Sequence, residues 1–302
     1  MFKSKNGMSR ALVQRETTAG YLFLLPSLFF FVTFVLYPMF LCIYTSFFDS
    51  NMGKNAVDVF VGLGNYKELF QDKLFLGALK NTVVIVVVAV PTVCAFSLWV
   101  ATAIYDMKPA LTSAFRCIFY LPVVTGSVAV TVVWKWMYNN RYGVFNYLFK
   151  SLGIIDQNIN WLGDARFALW CIILILFTTS VGQPIVLYVS ALGNVDHSLV
   201  EAAEVDGANR RQVFWKIKWA QIMPTTLYIL IITTINSFQC FALIQLLTSG
   251  GPTHSTDTIM YYIYYTAFKL YRYGYGNAMG VVLMVIIAVL SAVQFKLGQR
   301  SD

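Results

Sequence analysis

The groups able to do chemistry in this sequence are amides and hydroxyls set inside apolar runs. Thr178, Thr179, Ser180 and Gln183 lie beside Gly182 and Pro184; Asn236, Ser237 and Gln239 lie just ahead of Cys240; Thr125 and Ser127 follow Pro122. A polar group facing lipid is costly, so such groups turn inward, either to bond a neighbouring helix or to line a path. Neutral donors and acceptors suit a neutral, hydroxyl-rich solute. Ser127, Thr179, Gln183, Asn236, Ser237 and Gln239 are therefore the candidate path residues, with interhelical hydrogen bonding as the competing role for each.

No catalytic or metal site is legible. The two histidines, His197 and His254, are far apart and suggest neither a metal nor a catalytic pair. Cys42, Cys94, Cys117, Cys171 and Cys240 are odd in number and widely spaced, without a C-x-x-C pair, so they read as small apolar fillers. A nucleotide-binding phosphate loop is missing too: Gly53-Lys54 lacks the upstream glycine and precedes Asn55. Any energy input must come from another chain.

The elements that position these groups follow from composition. Of 302 residues 58% are hydrophobic and 12% charged, with a mean hydropathy of +0.64, against roughly 25% charged in a soluble domain. The natural solvent is lipid. The net charge of +8 is scattered among apolar runs, forming no basic face for nucleic acid, and fits basic residues held on one side of a membrane. Six stretches lack Asp, Glu, Lys, Arg and His: Tyr21–Phe48, Asn81–Tyr105, Cys117–Trp134, Phe167–Val195, Trp219–Gly251 and Tyr273–Phe295. Each reaches about the 20 residues that span a bilayer as a helix. The third is shortest, with Arg116 and Lys135 as snorkelling ends. The expected fold is an all-α membrane protein with six transmembrane helices. Its divisions are an N-terminal segment 1–20, a membrane domain 21–298 and a tail 299–302. The first run is too long for a signal h-region, so no cleavable leader is expected.

Flanking charges set the orientation. Lys3, Lys5, Arg10 and Arg15 precede the first run against Glu16 alone, which predicts a cytoplasmic N-terminus. The loops bearing Lys108 and Arg116, and Arg210, Arg211, Lys216 and Lys218, then fall on the same side. Two sets of rings, Trp134 to Tyr147 and Tyr261 to Tyr273, are expected as aromatic belts at the membrane surface. Pro91, Pro122 and Pro184 should kink their helices.

The most densely charged stretch is 194–224, NVDHSLVEAAEVDGANRRQVFWKIKWAQIMP. Ser198 with Glu201 reads as a capping box that starts a helix, Gly207 as its stop, and Asn209 with Gln212 as a second start. A helix–turn–helix elbow with an alanine-lined face is predicted.

These residues resemble the EAA loop of binding-protein-dependent ABC importer permeases. Glu201, Ala202, Ala203, Gly207 and Ile217 fit that family's spacing, whereas Trp219-Ala220 stands where Leu-Pro is usual, so the second helix is expected to run on. FALIQLLTSGGPTHSTDTIMYYIYYTAF, VGLGNYKELF and LPVVTGSVAVTVVWKWMYN resemble the carbohydrate branch, of maltose and glycerol-3-phosphate type. The resemblance covers nearly the whole chain from Tyr21. It implies a bacterial inner-membrane permease for sugar import, partnered by an ATPase dimer, a second, non-identical permease and an extracellular solute-binding protein. ATP and Mg would be bound by the ATPase. Glu201 would contact that ATPase, with Ala202 and Ala203 on the docking helix and Gly207 at the turn. Sugar contacts in maltose-type relatives come from the same three regions as the polar residues above. A phosphorylated polyol as cargo would need a cation in the path, and none is visible in the runs. An ATPase-independent transporter usually carries intramembrane carboxylates or inverted repeats, and neither is found.

Overall fold

In lipid every backbone donor and acceptor must be satisfied within the chain, which leaves helices as the solution for these charge-free runs. The computed structural model describes residues 10–50 and 58–299, with side chains described over 17–50 and 58–298. The flank charges Lys3 and Lys5, the Gly53-Lys54 pair, and the side chains of Arg10 and Arg15 lie outside those residues. Among the described residues five helices are long and apolar enough to cross a membrane: Thr17–Thr45, Lys73–Tyr105, Ala168–Gly193, Arg210–Leu247 and Tyr273–Gly298. Helix starts at Arg10, inside the segment 1–20 that charge had set apart. The fold class is that of an all-α membrane protein. Among the described residues its strands are a two-residue antiparallel pair, Phe48–Asp49 with Val59–Phe60, in the register Phe48↔Phe60.

The third run departs from expectation. Instead of one straight span, helices Pro109–Val124 and Ser127–Met137 meet at a 95° bend. Pro122 removes a backbone donor near the end of the first, and Thr125 and Gly126 leave helical geometry at ψ 126° and 142°.

The fourth span also breaks, at Val181, between Ala168–Ser180 and Gly182–Gly193. Pro184 cannot bond the Ser180 carbonyl, while Ser97 Oγ of the second span donates to the Val181 carbonyl at 3.2 Å. A Cβ at Gly182 would collide with the Phe119 carbonyl. Glycine there lets the third run's backbone approach the fourth.

The fifth span is continuous with the loop before it. Arg210–Val213 passes through a π-helical stretch, Phe214–Lys218, into Trp219–Phe238, so the helix does run on through Trp219-Ala220. It breaks at 239–241 before Ala242–Leu247.

Three spans make the main core. Val93, Val100 and Ile104 of the second meet Ile185, Tyr188 and Leu192 of the fourth and Ile222 and Ile229 of the fifth. Between apolar helices in lipid, close packing and dispersion supply the attraction. The first span buries none of its apolar window within the chain. It is tied at its end, where Asn277 Nδ2 donates to Thr45 Oγ1 at 2.7 Å.

The rings correct the belt expectation in part. Trp136, Tyr142, Tyr147, Phe268 and Tyr271 are exposed, but Tyr138, Tyr261 and Tyr262 are buried. A tyrosine goes inside when its hydroxyl finds a partner. The hydroxyls of Tyr262 and Tyr275 both donate to Asp72 Oδ2 at 2.8 Å, while Oδ1 accepts from the amides of Leu74 and Phe75 and caps the second span. Burial opposes charge on Asp72, yet the two hydroxyls and two amides hold its carboxyl below the ordinary carboxylate range. Of the cysteines, Cys171 and Cys240 are buried as fillers, whereas Cys117 is exposed.

Candidate functional site

The elbow forms where the charge pattern put it, with one change at its start. The first helix is His197–Val205, and its cap is Asp196, whose Oδ1 accepts from the amide of Ser198 at 2.9 Å and from its hydroxyl at 2.8 Å. Ser198 is thus the second helical residue, and the expected Ser198–Glu201 capping box is absent. A carboxylate cap makes a charge-assisted bond and gains from the helix dipole, so Asp196 outcompetes a serine two residues on. Those two bonds from Ser198 hold the Asp196 carboxyl below its ordinary range. Glu201 is exposed and makes no hydrogen bond or ion pair within the described chain.

The helix ends in a Schellman motif. Gly207 stands at φ +84°; its amide reaches the Glu204 carbonyl at 3.1 Å, and the Ala208 amide reaches the Ala203 carbonyl at 2.9 Å. Those two bonds satisfy carbonyls that the helix end would orphan. Asn209 and Gln212 then form the reciprocal capping box read from sequence, at 2.8 and 2.9 Å. Leu199, Val205 and Trp215 are exposed apolar side chains on the elbow, with Ala202 exposed among them.

Three contacts fasten the elbow to the spans. Val195 is buried in the main core, with Val200 and Trp219 packed against it. Lys218 Nζ sits 5.6 Å from the ring centre of Tyr105, at the end of the second span. The amide of Asp196 donates to Gln221 Oε1 at 3.0 Å.

Five of the six candidate path residues come together. A cavity of about 340 Å³ is lined by Ser127, Thr179 and Gln239, and a second of about 160 Å³ by Thr179, Gln183 and Asn236. The two share Thr179 and Val123, so they adjoin. Neither has a charged residue in its lining. Gln183, Asn236 and Gln239 are exposed in this chain. Ser237 is the exception: at 2% exposure it points into the core and reaches neither cavity. One residue along a helix turns a side chain by about 100°, enough to separate it from Asn236. Thr125 completes the first cavity, at the bend of the third run. The sequence could flag it as polar beside Pro122, but the bend that brings it there was not readable.

The comparisons agree with this architecture. A family model described as a binding-protein-dependent transport system inner membrane component matches residues 63–302. The chain is 33% identical over 288 residues to the probable ABC transporter permease protein YesP of Bacillus subtilis, covering 94% of this chain and 91% of that protein. It is 32% identical to the multiple sugar-binding transport system permease protein MsmF of Streptococcus mutans (94% and 96% covered). It is also 32% identical to the lactose transport system permease protein LacF of Rhizobium radiobacter (91% and 92%). Among solved structures, a chain of a bacterial ABC transporter involved in the import of the acidic polysaccharide alginate superposes with a TM-score of 0.81, covering 95% of this chain and 96% of that one. At 24% identity that likeness carries the fold alone.

Proposed function

The chain belongs to the family of binding-protein-dependent transport system inner membrane components, and from that premise we propose that it forms, with a second permease, the alternating-access path of an ATP-driven sugar or oligosaccharide importer. It is a multi-pass membrane transport subunit. The partner permease is non-identical, and an extracellular binding protein delivers the solute. ATP and Mg are held by an ATPase dimer docked on the elbow 194–224. Both termini and the elbow face the cytoplasm, as the flanking Lys and Arg residues favour.

One observation carries the reading. Helix Gly182–Gly193 has Gln183 in the cavity wall at one end, and at the other it runs into the Asp196-capped elbow. It is about 18 Å long at 1.5 Å per residue. A push on the elbow therefore moves the polar wall. Glu201, free of any capping duty, is available to an ATPase surface. A hydroxyl-rich neutral solute suits cavities lined by amides and hydroxyls, and a phosphorylated polyol would meet no cation there.

The test is uptake. With the binding protein, second permease and ATPase in proteoliposomes, Gln183→Leu and Asn236→Leu should each lower sugar uptake while assembly and basal ATP hydrolysis persist. Normal uptake in both variants would remove the cavities from the path.

A further inference from the structure

A third cavity, of about 460 Å³, opens between the third and fourth spans at the end of the molecule that carries the elbow; Tyr105 lines both it and the space beside Glu201 and Glu204. Its wall includes Arg116, Ser113, Ser190 and Asn194 and no carboxylate. Arg116 is two turns inside helix Pro109–Val124. Its Nε is buried without a hydrogen-bond partner, and the described chain offers the guanidinium no ion pair. The side chains of Ser113, Ser190 and Asn194 likewise make no bond within the described chain. Nε alone is buried, and the rest of the guanidinium opens into the cavity, as the snorkelling expectation for Arg116 has it.

A guanidinium that faces a cavity without a carboxylate partner offers a planar fork that matches an oxyanion with two parallel bonds. Hydroxyl and amide donors beside it add neutral bonds, and the volume lies within the usual range of small-molecule sites. The orientation of the helix says where the ligand comes from. Thr112, Arg116, Phe119 and Val123 recur at three- and four-residue steps on the face toward the fourth span. Leu111, Ile118 and Leu121, at 50 to 64% exposure, form an apolar ridge on the far side. The cavity turns away from acyl chains.

We propose that the Arg116 cavity is a binding site for a small soluble oxyanion, a phosphate or a carboxylate, separate from the two neutral cavities of the candidate path. The site stands on its own chemistry and does not depend on the chain's cargo.

The test uses the full-length chain, purified with its co-expressed partner subunits, in phosphatidylcholine nanodiscs at constant ionic strength. Inorganic phosphate and glucuronate should raise the unfolding midpoint saturably, with chloride as the inert control. Arg116→Gln should weaken the apparent affinity by about tenfold or more, as loss of a charge-assisted pair does, and Arg116→Lys should fall between. Ser190→Phe, which fills the cavity from an exposed position, should abolish the shift and serves as the test if Arg116→Gln fails to fold. Equal responses in wild type and either blocking variant would overturn the proposal. So would a midpoint raised by phosphatidylglycerol with no response to phosphate or glucuronate, which would assign the site to a lipid headgroup.

Discussion

The backbone amide of Asp196 donates to the side-chain oxygen of Gln221 at 3.0 Å, tying the start of the elbow to the span that leaves it. The two residues are 25 apart in sequence. Together with Val195 in the core, this bond makes the elbow a rigid continuation of the fourth and fifth spans. Gln221→Leu should loosen that closure without touching the docking face. We expect uptake to fall several-fold while the ATPase still co-purifies. Unaltered transport in Gln221→Leu would mean that Val195, Val200 and Trp219 suffice.

The cap is a separate matter. Asp196→Ala should fray helix His197–Val205, whereas Ser198→Ala should be mild because only its hydroxyl bond is lost. The sign of the titration follows from the lowered carboxyl: the cap's stabilisation is full above the ordinary aspartate range and vanishes as pH falls through the depressed value. Transport loss in Asp196→Ala should accordingly be the same across neutral pH. A wild type that loses coupling on mild acidification, in step with Asp196→Ala, would contradict this placement of the proton.

Gly207 allows a graded test. A Cβ there meets nothing within 4 Å, so φ alone, at +84°, sets the cost. Gly207→Ala should cost about 1–2 kcal/mol of elbow stability, the usual penalty for a left-handed L-residue, and Gly207→Asn less. Gly207→Pro fixes φ near −65° and deletes the amide bonded to Glu204, so it should abolish transport. Measured uptake should rank glycine, asparagine, alanine, proline; any other order would argue against the Schellman turn as the requirement.

Sidedness is tested by labelling single cysteines in intact cells. Gln212→Cys should be shielded from a membrane-impermeant reagent and Gln157→Cys should react. Asn65 is unsuitable as an external site, since it is 4% exposed and donates to the carbonyls of Ser46 and Phe48. Labelling of Gln212→Cys from outside would invert the topology.

What was legible in the sequence was what local rules and lipid impose. Charge exclusion located the spans, Gly207 and the Asn209–Gln212 box located the elbow's turn, and five of the six candidate path residues, chosen as polar groups within apolar runs, line the two cavities. What was hidden depended on contacts between distant segments. The 95° bend needs the third run to fold over the fourth at Gly182; Tyr262 became core because Asp72 lies 190 residues away and accepts its hydroxyl. Asp196 was a nearer miss, since two good caps stood two residues apart and only the geometry chose between them.

The central claim is that the elbow couples an ATPase to the polar cavities, and Glu201 is where it is most exposed to refutation. Because Asp196 does the capping, Glu201→Gln and Glu201→Lys leave the helix start intact and change only the charge offered outward. The measurement is ATP hydrolysis stimulated by binding protein and sugar in proteoliposomes containing the complete importer. The account predicts that Glu201→Lys inserts and folds normally, loses the ATPase on purification and shows no stimulation, with Glu201→Gln reduced but not abolished. A Glu201→Lys importer that retains its ATPase and is stimulated as fully as wild type would contradict it.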